Sequence, residues 1–328
     1  MRIIFCGTPE IAVPSLRRLI ALGPQHEVVG IVSQPDKPQG RSKVPVSPPV
    51  VTTARELGLA ADRIFQPRSI NNSKTLARLR DLSPDLLCVI AYGNILRADA
   101  LALPQLFPIN AHASLLPKYR GASPIQAALL GGEHETGVSI MRMEAGLDSG
   151  PVLFQRAISI GPDDDTGTLH DRLAELAAEC FVEAIERISA GPVTFTPQDE
   201  SQSSYTPKLT KDSGKIDWTK DAAYLERFVR AMNPWPGAWT SVVAPASVPA
   251  TKPLRLRVAK AAVLPDRPGV APGSGCVLGA GEQALLVVAC GGGALRISQL
   301  QPEGKRAMSA AEFLRGAGRA LLAGSIWG

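Results

Sequence analysis

The chain has 328 residues, a formal net charge of +5 and an apolar fraction of 45%. This length is more than one ordinary core covers, so we expect two domains, and the apolar fraction excludes a largely disordered chain. The apolar runs are too short for a membrane span or a signal-peptide core, so we expect a cytoplasmic protein with no membrane contact. The five scattered cysteines form no CxxC or Cys/His cluster, so we expect reduced thiols and no metal.

Strand-like and helix-like segments alternate through the first half of the chain. Runs typical of strands lie at 2–7, 27–33, 85–92, 106–112, 136–144 and 151–160. Helical spacing of apolar residues lies at 10–22, 123–132 and 163–191. This alternation predicts an α/β fold with a doubly wound, Rossmann-like and mostly parallel sheet that has helices on both faces.

The second half of the chain has a different pattern. Periodicity is lost over 191–214, which is rich in Pro, Ser, Gln and Thr, and we place a linker there at 191–210. It separates a first domain at 1–190 from a second domain at 211–328. In the second domain, short apolar runs broken by Gly and Pro are spaced like the strands of a small barrel or sandwich.

Charge is divided unevenly between the two parts of the chain. Residues 1–204 contain 19 Lys and Arg against 22 Asp and Glu, whereas residues 205–328 contain 16 against 8. An excess of cations favours contact with a polyanion such as nucleic acid, although a solvated basic surface has the same composition. Charge alone therefore leaves both interpretations open.

Two turns follow the first two predicted strands. Gly7-Thr8-Pro9 stands where a dinucleotide-binding fold has G-x-G-x-x-G, so NAD or FAD binding is disfavoured and Gly7 is interpreted as a tight-turn residue. The polar loop 34–43 contains three cations and no apolar anchor. It is either a surface loop or a basic flap above the edge of the sheet where such folds bind ligands.

A candidate catalytic set begins where the strand at 106–112 ends. Asn110 and His112 lie two residues apart, so their side chains point to the same face, and a Gly-flanked turn later carries the isolated carboxylate of Asp148. An amide donor, an imidazole and a carboxylate suit acyl transfer through a tetrahedral oxyanion. Without G-x-S-x-G or a paired nucleophile, direct transfer to an acceptor is favoured. The alternative is a structural histidine and an Asp that bonds its own turn.

Longer motifs accompany these residues along the chain. They are FCGTPE (5–10), QPDKPQGR (34–41), AYG (91–93), SLLPKYRGASPIQAA (114–128), TGVSIMRMEAGLDSGP (136–151), YTPKLTKDSGKIDW (205–218), NPWPGAWT (233–240) and GKRAMSAAEFLRG (304–316). With the Asn-x-His pair, they resemble the tetrahydrofolate-dependent formyltransferases. The late motifs resemble the members that act on methionyl-tRNA, because glycinamide and sugar formyltransferases share the front of the chain but not this tail.

The resemblance implies an activity and a second domain. The activity is transfer of a formyl group from 10-formyltetrahydrofolate, a co-substrate, to the α-amino group of initiator methionyl-tRNA for translation initiation. It would proceed by direct amine attack through a tetrahedral intermediate and without a metal. The second domain would be an OB-like β-barrel that binds the tRNA, and we expect the protein to be a monomer.

The resemblance also assigns site residues. Catalysis falls to Asn110, His112 and Asp148. The folate would lie against Ser114, Leu115, Leu116 and Pro117 and the backbone near Ile90 and Tyr92. For the tRNA we expect contacts from Arg41 and Lys43, in a loop that resembles the one contacting the acceptor stem, and from the basic Lys208 and Lys211.

Three other classes remain as alternatives. A formyltransferase acting on a small amine, such as a sugar nucleotide or glycinamide ribonucleotide, does not need the basic second half. A non-enzymatic RNA-binding protein does not need Asn110, His112 and Asp148 together. A Rossmann oxidoreductase is disfavoured by Gly7-Thr8-Pro9. Incubation with 10-formyltetrahydrofolate and methionyl-tRNA distinguishes these classes by its product.

Overall fold

A computed structural model describes residues 1–38, 40, 44–243, 253–264, 270–278, 285–316, 318 and 323–328. Arg41 and Lys43, two of the expected tRNA contacts, lie outside the described residues. The helices are α1 (Val13–Ile20), α2 (Pro49–Glu56), α3 (Ser73–Arg80), α4 (Ala98–Leu101), α5 (Pro124–Gly131), α6 (Thr166–Ala190), α7 (Ala222–Met232) and α8 (Ala310–Arg315). The strands are β1 (Arg2–Gly7), β2 (Glu27–Val32), β3 (Lys37–Pro38), β4 (Pro45–Val46), β5 (Ile64–Phe65), β6 (Leu86–Ile90), β7 (Phe107–His112), β8 (Arg120–Gly121), β9 (Glu135–Arg142), β10 (Val152–Ser159), β11 (Tyr205–Thr206), β12 (Ala238–Val243), β13 (Leu254–Leu264), β14 (Ser274–Leu278), β15 (Leu285–Ala289), β16 (Ala294–Pro302), β17 (Met308–Ser309) and β18 (Ala323–Trp327).

The chain forms two compact units. The first contains Met1–Pro124, His134–Ser159 and Leu169–Pro207, and the second contains Ile125–Glu133, Ile160–Thr168 and Lys208–Gly328. Residues 191–207 therefore lie within the first unit. The domain boundaries predicted from the sequence, with a linker at 191–210, stay predictions.

Within the described residues, a seven-stranded sheet forms the centre of the first unit, in the order β10-β9-β7-β6-β1-β2-β5. The adjacent strands β7, β6, β1, β2 and β5 pair in parallel. At one edge, β9 pairs antiparallel with β7 and β10 pairs antiparallel with β9. The predicted α/β fold with a mostly parallel sheet is thus confirmed. The chain extends from β1 to β2 on one side and returns to β6 on the other, so the carboxyl ends of β1 and β6 flank a topological switch point, where such sheets bind ligands.

The central strands are buried on both faces. Every side chain of Leu86–Ile90 is buried, as is every residue from Ile3 to Gly7. This burial explains why these segments read as continuous apolar runs rather than as alternating patterns. Pro14 lies in the first turn of α1, where its missing N–H breaks no helical hydrogen bond.

Helices α2 and α3 were not predicted from the sequence. Each has eight residues, and α2 begins at the second proline of the Pro48-Pro49 pair without a side-chain cap. Asn72 caps α3 by accepting a hydrogen bond from the Lys74 backbone N–H at 3.0 Å. Tertiary packing supplies most of the stability of helices as short as these. Here Val50, Val51, Leu76 and Leu79 are buried.

In the described part of the second unit, six antiparallel strands close a barrel in the order β13-β12-β18-β14-β15-β16, and β16 pairs back to β13. Trp218 and Trp327, both buried, meet edge to face with ring centroids 5.9 Å apart. Trp218 Nε1 donates to Thr240 Oγ1 at 3.0 Å, which satisfies the indole in the core. The predicted barrel is confirmed.

None of the five cysteines, all of which lie in the described residues, forms a disulfide bond. Cys6 and Cys88 are completely buried in the core, and burial raises the pKa of both thiols. Burial also raises the pKa of Cys180 to about 12 and that of Cys290 to about 11. None of the described helices is long and apolar enough to cross a membrane.

Strands β9 and β10 approach closely at Gly137, where a Cβ atom would lie 2.1 Å from the Arg156 carbonyl oxygen. We expect Gly137→Ala to lower the free energy of unfolding by about 1–3 kcal/mol, because overpacking forces the two backbones apart. Thermal unfolding measures this loss. The matched control is Gly161→Ala, whose Cβ would meet only the Asp164 carboxylate, at 3.4 Å. Equal Tm values for the wild type and both variants would contradict the close approach.

Candidate active site

Two polar side chains lie in the interior of the sheet at the carboxyl end of β7. Asn110 pairs in register with Val89 on β6 and with Met141 on β9. Asn110 is only 9% exposed and His112 only 6%. Within the described residues the Asn110 side chain makes no hydrogen bond, and its polar atoms keep access to solvent. The amide is therefore a donor that a ligand can reach and use.

The structure brings His112 and Asp148 together, 36 positions apart in the chain. His112 Nδ1 lies 3.6 Å from Asp148 Oδ2. The other ring nitrogen, Nε2, lies 2.9 Å from the Tyr119 carbonyl oxygen. Because a carbonyl only accepts, Nε2 carries a proton in this arrangement and Nδ1 faces the carboxylate. The ring is thereby fixed in both position and orientation.

Asp148 itself has an unusual backbone. Its φ is 49°, in the left-handed region, which non-glycine residues rarely adopt and which favours Asp and Asn over other side chains. Its Oδ2 accepts a hydrogen bond from the Gly121 backbone N–H at 2.8 Å. Gly121 has a φ of +107°, and a Cβ there would lie 2.5 Å from the Thr206 carbonyl oxygen, so only glycine fits. The carboxylate of Asp148 is therefore held by the backbone N–H of Gly121, in a conformation that requires glycine at this position.

The loop proposed to line the folate site is anchored by Ser139 of β9. Ser139 Oγ donates to the Ser114 carbonyl at 2.6 Å and accepts from the Leu116 backbone N–H at 3.0 Å. Gln155 Nε2 donates to Ser139 Oγ and to the Leu116 carbonyl, both at 2.8 Å. Neither anchor is predictable from the sequence, since their role is visible only once β9 and β10 lie beside this loop. The segment from Ser114 to Pro117 is consequently a fixed wall.

The other proposed folate contacts lie at the carboxyl end of β6. The side chains of Ile90 and Tyr92 are buried, and the Tyr92 carbonyl accepts hydrogen bonds from Thr8 Oγ1 at 2.9 Å and Gln34 Nε2 at 3.3 Å. Ala91 between them is exposed and has a φ of 46°. A ligand at this edge would therefore meet backbone at Ala91 rather than the two flanking side chains.

The two tRNA-contact candidates that the structure describes lie in the second unit. Lys208 and Lys211 are both exposed. The Lys211 carbonyl accepts a hydrogen bond from Trp239 Nε1 at 3.1 Å, which ties this segment to β12. The Trp239 ring in turn lies under the Arg255 guanidinium, 3.7 Å from the ring centroid.

The sequence analysis also missed Arg120, which is completely buried. Its Nε and Nη2 donate to Gln198 Oε1 at 3.0 and 2.9 Å, and its Nη1 donates to Tyr205 Oη at 2.9 Å. Nη1 and Nη2 also donate to the two oxygens of Glu200, at 2.9 and 2.7 Å. All five N–H bonds are thus used. This ion pair raises the pKa of Arg120 and lowers that of Glu200.

These groups support acyl transfer without a covalent intermediate. The hydroxyls of Ser114 and Ser139 both donate to backbone carbonyls, so neither is paired with His112 as a nucleophile. Asn110 offers a donor for a developing oxyanion, and the His112 and Asp148 pair offers a group that can move a proton. Among the described residues, no group of three His, Cys, Asp or Glu side chains could hold a metal ion.

Similarity to known proteins extends over both units. Residues 1–185 match the model of the formyl transferase family, and residues 208–318 match that of the formyl transferase C-terminal domain. The chain is 47% identical to the methionyl-tRNA formyltransferase of Methylococcus capsulatus and 42% identical to that of Geobacter metallireducens, with 96% of both chains covered in each case.

Solved structures share the fold at lower identity. HypX from Aquifex aeolicus, crystallised with tetrahydrofolic acid, superposes with a TM-score of 0.61 at 18% identity, over 98% of this chain and 48% of that one. The sugar 3N-formyl transferase WlaRD, crystallised with dTDP and 5-N-formyl-THF, superposes with a TM-score of 0.62 at 16% identity, over 93% of this chain and 99% of that one. The chain therefore belongs to the formyl transferase family and, within it, groups by sequence with the methionyl-tRNA formyltransferases.

Proposed function

We propose that this chain transfers a formyl group from 10-formyltetrahydrofolate to the α-amino group of initiator methionyl-tRNA. The observation that carries the proposal is the geometry at the end of β7. The Asn110 amide is a solvent-accessible donor with no partner among the described residues, and beside it His112 lies 3.6 Å from Asp148. The identity of 47% to a methionyl-tRNA formyltransferase over nearly the whole chain supports the same activity.

The residues at the carboxyl edge of the sheet fit a folate co-substrate. The wall from Ser114 to Pro117 is held by Ser139. The exposed Ala91 lies just beyond the carboxyl end of the neighbouring strand β6. Apolar Leu115 is half-buried in this wall and offers a surface for a flat ring. When bound, the folate supplies a formyl carbon that is activated by its attachment to N10.

The catalytic steps follow from the roles of three side chains. The neutral α-amine attacks the formyl carbon directly, and negative charge develops on the formyl oxygen. Asn110 donates a hydrogen bond to this oxygen, and removal of one such donor typically costs about 3–4 kcal/mol of transition-state stabilisation. His112 supplies a second donor when its bond to the Tyr119 carbonyl loosens. Asp148 orients His112 and, through water, passes a proton from the attacking nitrogen toward the leaving N10.

The tRNA contacts are proposed for the basic second half of the chain. Lys208 and Lys211 are exposed at the start of the second unit, and Arg255 presents its guanidinium on Trp239. Contacts of this kind neutralise phosphates and release counterions. Arg41 and Lys43 are proposed as further contacts from the sequence resemblance alone.

The remaining expectations from the sequence are proposals as well. We infer that residues 1–190 carry catalysis and 211–328 bind tRNA, on either side of the linker predicted at 191–210. The protein would act as a monomer in the cytoplasm, a compartment in which free thiols such as those of its five cysteines persist.

Formylation by variants of the His112 and Asp148 pair tests the catalytic assignment. We expect His112→Ala and Asp148→Asn each to lower kcat by about 10²-fold or more, the range for loss of a general acid–base group. The readout is formyl-methionyl-tRNA formed from 10-formyltetrahydrofolate at saturating substrates. His170→Ala and Asp171→Asn are matched controls, because these residues form an exposed His–Asp pair at 2.9 Å on α6. Near wild-type kcat for His112→Ala or Asp148→Asn would refute the assignment.

The salt dependence of KM tests the tRNA contacts. In the Lys208→Ala, Lys211→Ala double variant we expect a higher KM for methionyl-tRNA. We also expect the slope of log KM against log salt concentration to fall by about two, because two phosphates are no longer neutralised. Steady-state formylation over a series of salt concentrations measures both. Lys74→Ala, an exposed lysine in the first turn of α3, is the control. An unchanged slope in the double variant would rule out phosphate binding by these lysines.

A further inference from the structure

Residues 196–206 make hydrogen bonds to Asp148 and to Tyr119, the backbone partner of His112, although the sequence predicts a linker there. Thr196 pairs with Val152 at the start of β10, and β11 pairs in parallel with β8. The segment between these two pairings includes Gln198 and Ser204. It is therefore fixed at both ends within the first unit.

Gln198 connects the buried guanidinium to the loop that carries Asp148. Its Oε1 accepts two hydrogen bonds from Arg120, and its Nε2 donates to the carbonyl oxygens of Asp148 and Gly150 at 2.8 and 2.7 Å. Arginine only donates and carbonyls only accept, so the orientation of this amide is determined by its partners. No residue with a single type of hydrogen-bonding atom can make both sets of contacts.

The contact with Asp148 is made at the place where the backbone is strained. A φ of 49° is unfavourable for a residue with a Cβ and persists only when the surroundings hold it. Gln198 holds the Asp148 carbonyl, and Gly121 holds its carboxylate. Together these bonds aim the side chain at His112.

The other half of the pair has a parallel support. Tyr119, whose carbonyl accepts from His112, has a φ of 62°. Its backbone N–H donates to Ser204 Oγ at 2.8 Å, and the Ser204 N–H donates to the Pro117 carbonyl at 3.3 Å. Residues 196–206 thus restrain both the backbone of Asp148 and the backbone of Tyr119, whose carbonyl accepts from His112.

We propose that Gln198 is a positioning residue for the formyl transfer reaction, acting through the backbone of Asp148. The inference rests on the proposed function, because it assigns Gln198 to a carboxylate that is catalytic only if that function holds. The hydrogen bonds of the Gln198 side chain go to Arg120 and to the backbone of Asp148 and Gly150. Its amide keeps the Asp148 loop in the conformation that faces His112.

Gln198→Glu is the sharpest test of this role. A glutamate keeps an oxygen for Arg120, so the buried charge retains its partner, but it points an acceptor at two carbonyl oxygens and loses both tethers. We expect kcat for formylation to fall about 10- to 100-fold, because a displacement of about 1 Å at a reacting group costs up to about 10²-fold. KM for methionyl-tRNA should change by less than about twofold, since the binding groups are unaffected. The control is Gln105→Glu, the same change at an exposed glutamine outside residues 196–206.

A double-mutant cycle with Asp148→Asn separates positioning from a general structural effect. If Gln198 acts through Asp148, Gln198→Glu should lower kcat by less than about threefold in the Asp148→Asn background. An equal factor in both backgrounds would overturn the inference, and so would a wild-type kcat for Gln198→Glu. If Asp148→Asn itself keeps wild-type kcat, it is the proposed catalytic role of Asp148 that fails. Gln198→Ala, run in parallel, removes both sets of bonds and should lower kcat in the same direction.

Discussion

The guanidinium of Arg120 is buried completely, and every one of its N–H bonds has an acceptor. Burying a charge is costly unless it is paired and fully hydrogen-bonded, so the partners of this group must be held in place as firmly as the group itself. Those partners, Gln198, Glu200 and Tyr205, lie 78 to 85 residues later in the chain. The buried charge therefore ties residues 198–205 to the start of β8.

The loops that carry Asp148 and Tyr119 depend on the attachment of residues 198–205 to Arg120, whereas strand β7 does not. Asn110 and His112 belong to β7, which lies between two hydrogen-bonded neighbours and needs no further support. Asp148 and Tyr119 lie in loops with left-handed backbones, and both are restrained by residues of the 198–205 segment, Gln198 and Ser204. A rigid strand thus supplies the proposed oxyanion donor and the imidazole, while a strained loop supplies the carboxylate. Strain of this kind costs of order 1–3 kcal/mol per residue, which the surrounding hydrogen bonds offset.

Much of the fold could be predicted from the sequence, and so could three residues of the candidate site, Asn110, His112 and Asp148. Long, strongly patterned elements such as β1, β6, β7 and α6 were predicted close to their observed limits, since burial on both faces of a strand or along a helix stripe leaves a direct trace in the residue pattern. Asn110 and His112 were recognisable because strand period places them on one face. Helices α2 and α3 were missed, although they are no shorter than α1 and α5, which were predicted.

Arg120, Gln198, Ser139 and Gln155 could not be identified from local pattern. Each acts through partners that are distant in the chain. The Pro- and Ser-rich stretch around Gln198 has the composition of a linker, whether or not its side chains form hydrogen bonds with the first unit. The left-handed φ of Asp148 was equally hidden, because a Gly-flanked Asp is typical of any turn.

The value of kcat for the Arg120→Lys variant tests the dependence of the site on the buried charge most directly. Lysine keeps the charge but has three donors on one nitrogen and cannot bridge Gln198, Glu200 and Tyr205 together. On protein that still unfolds cooperatively, kcat for formylation should fall at least about tenfold, because the Asp148 loop loses its support. A folded Arg120→Lys variant with wild-type kcat would contradict the account.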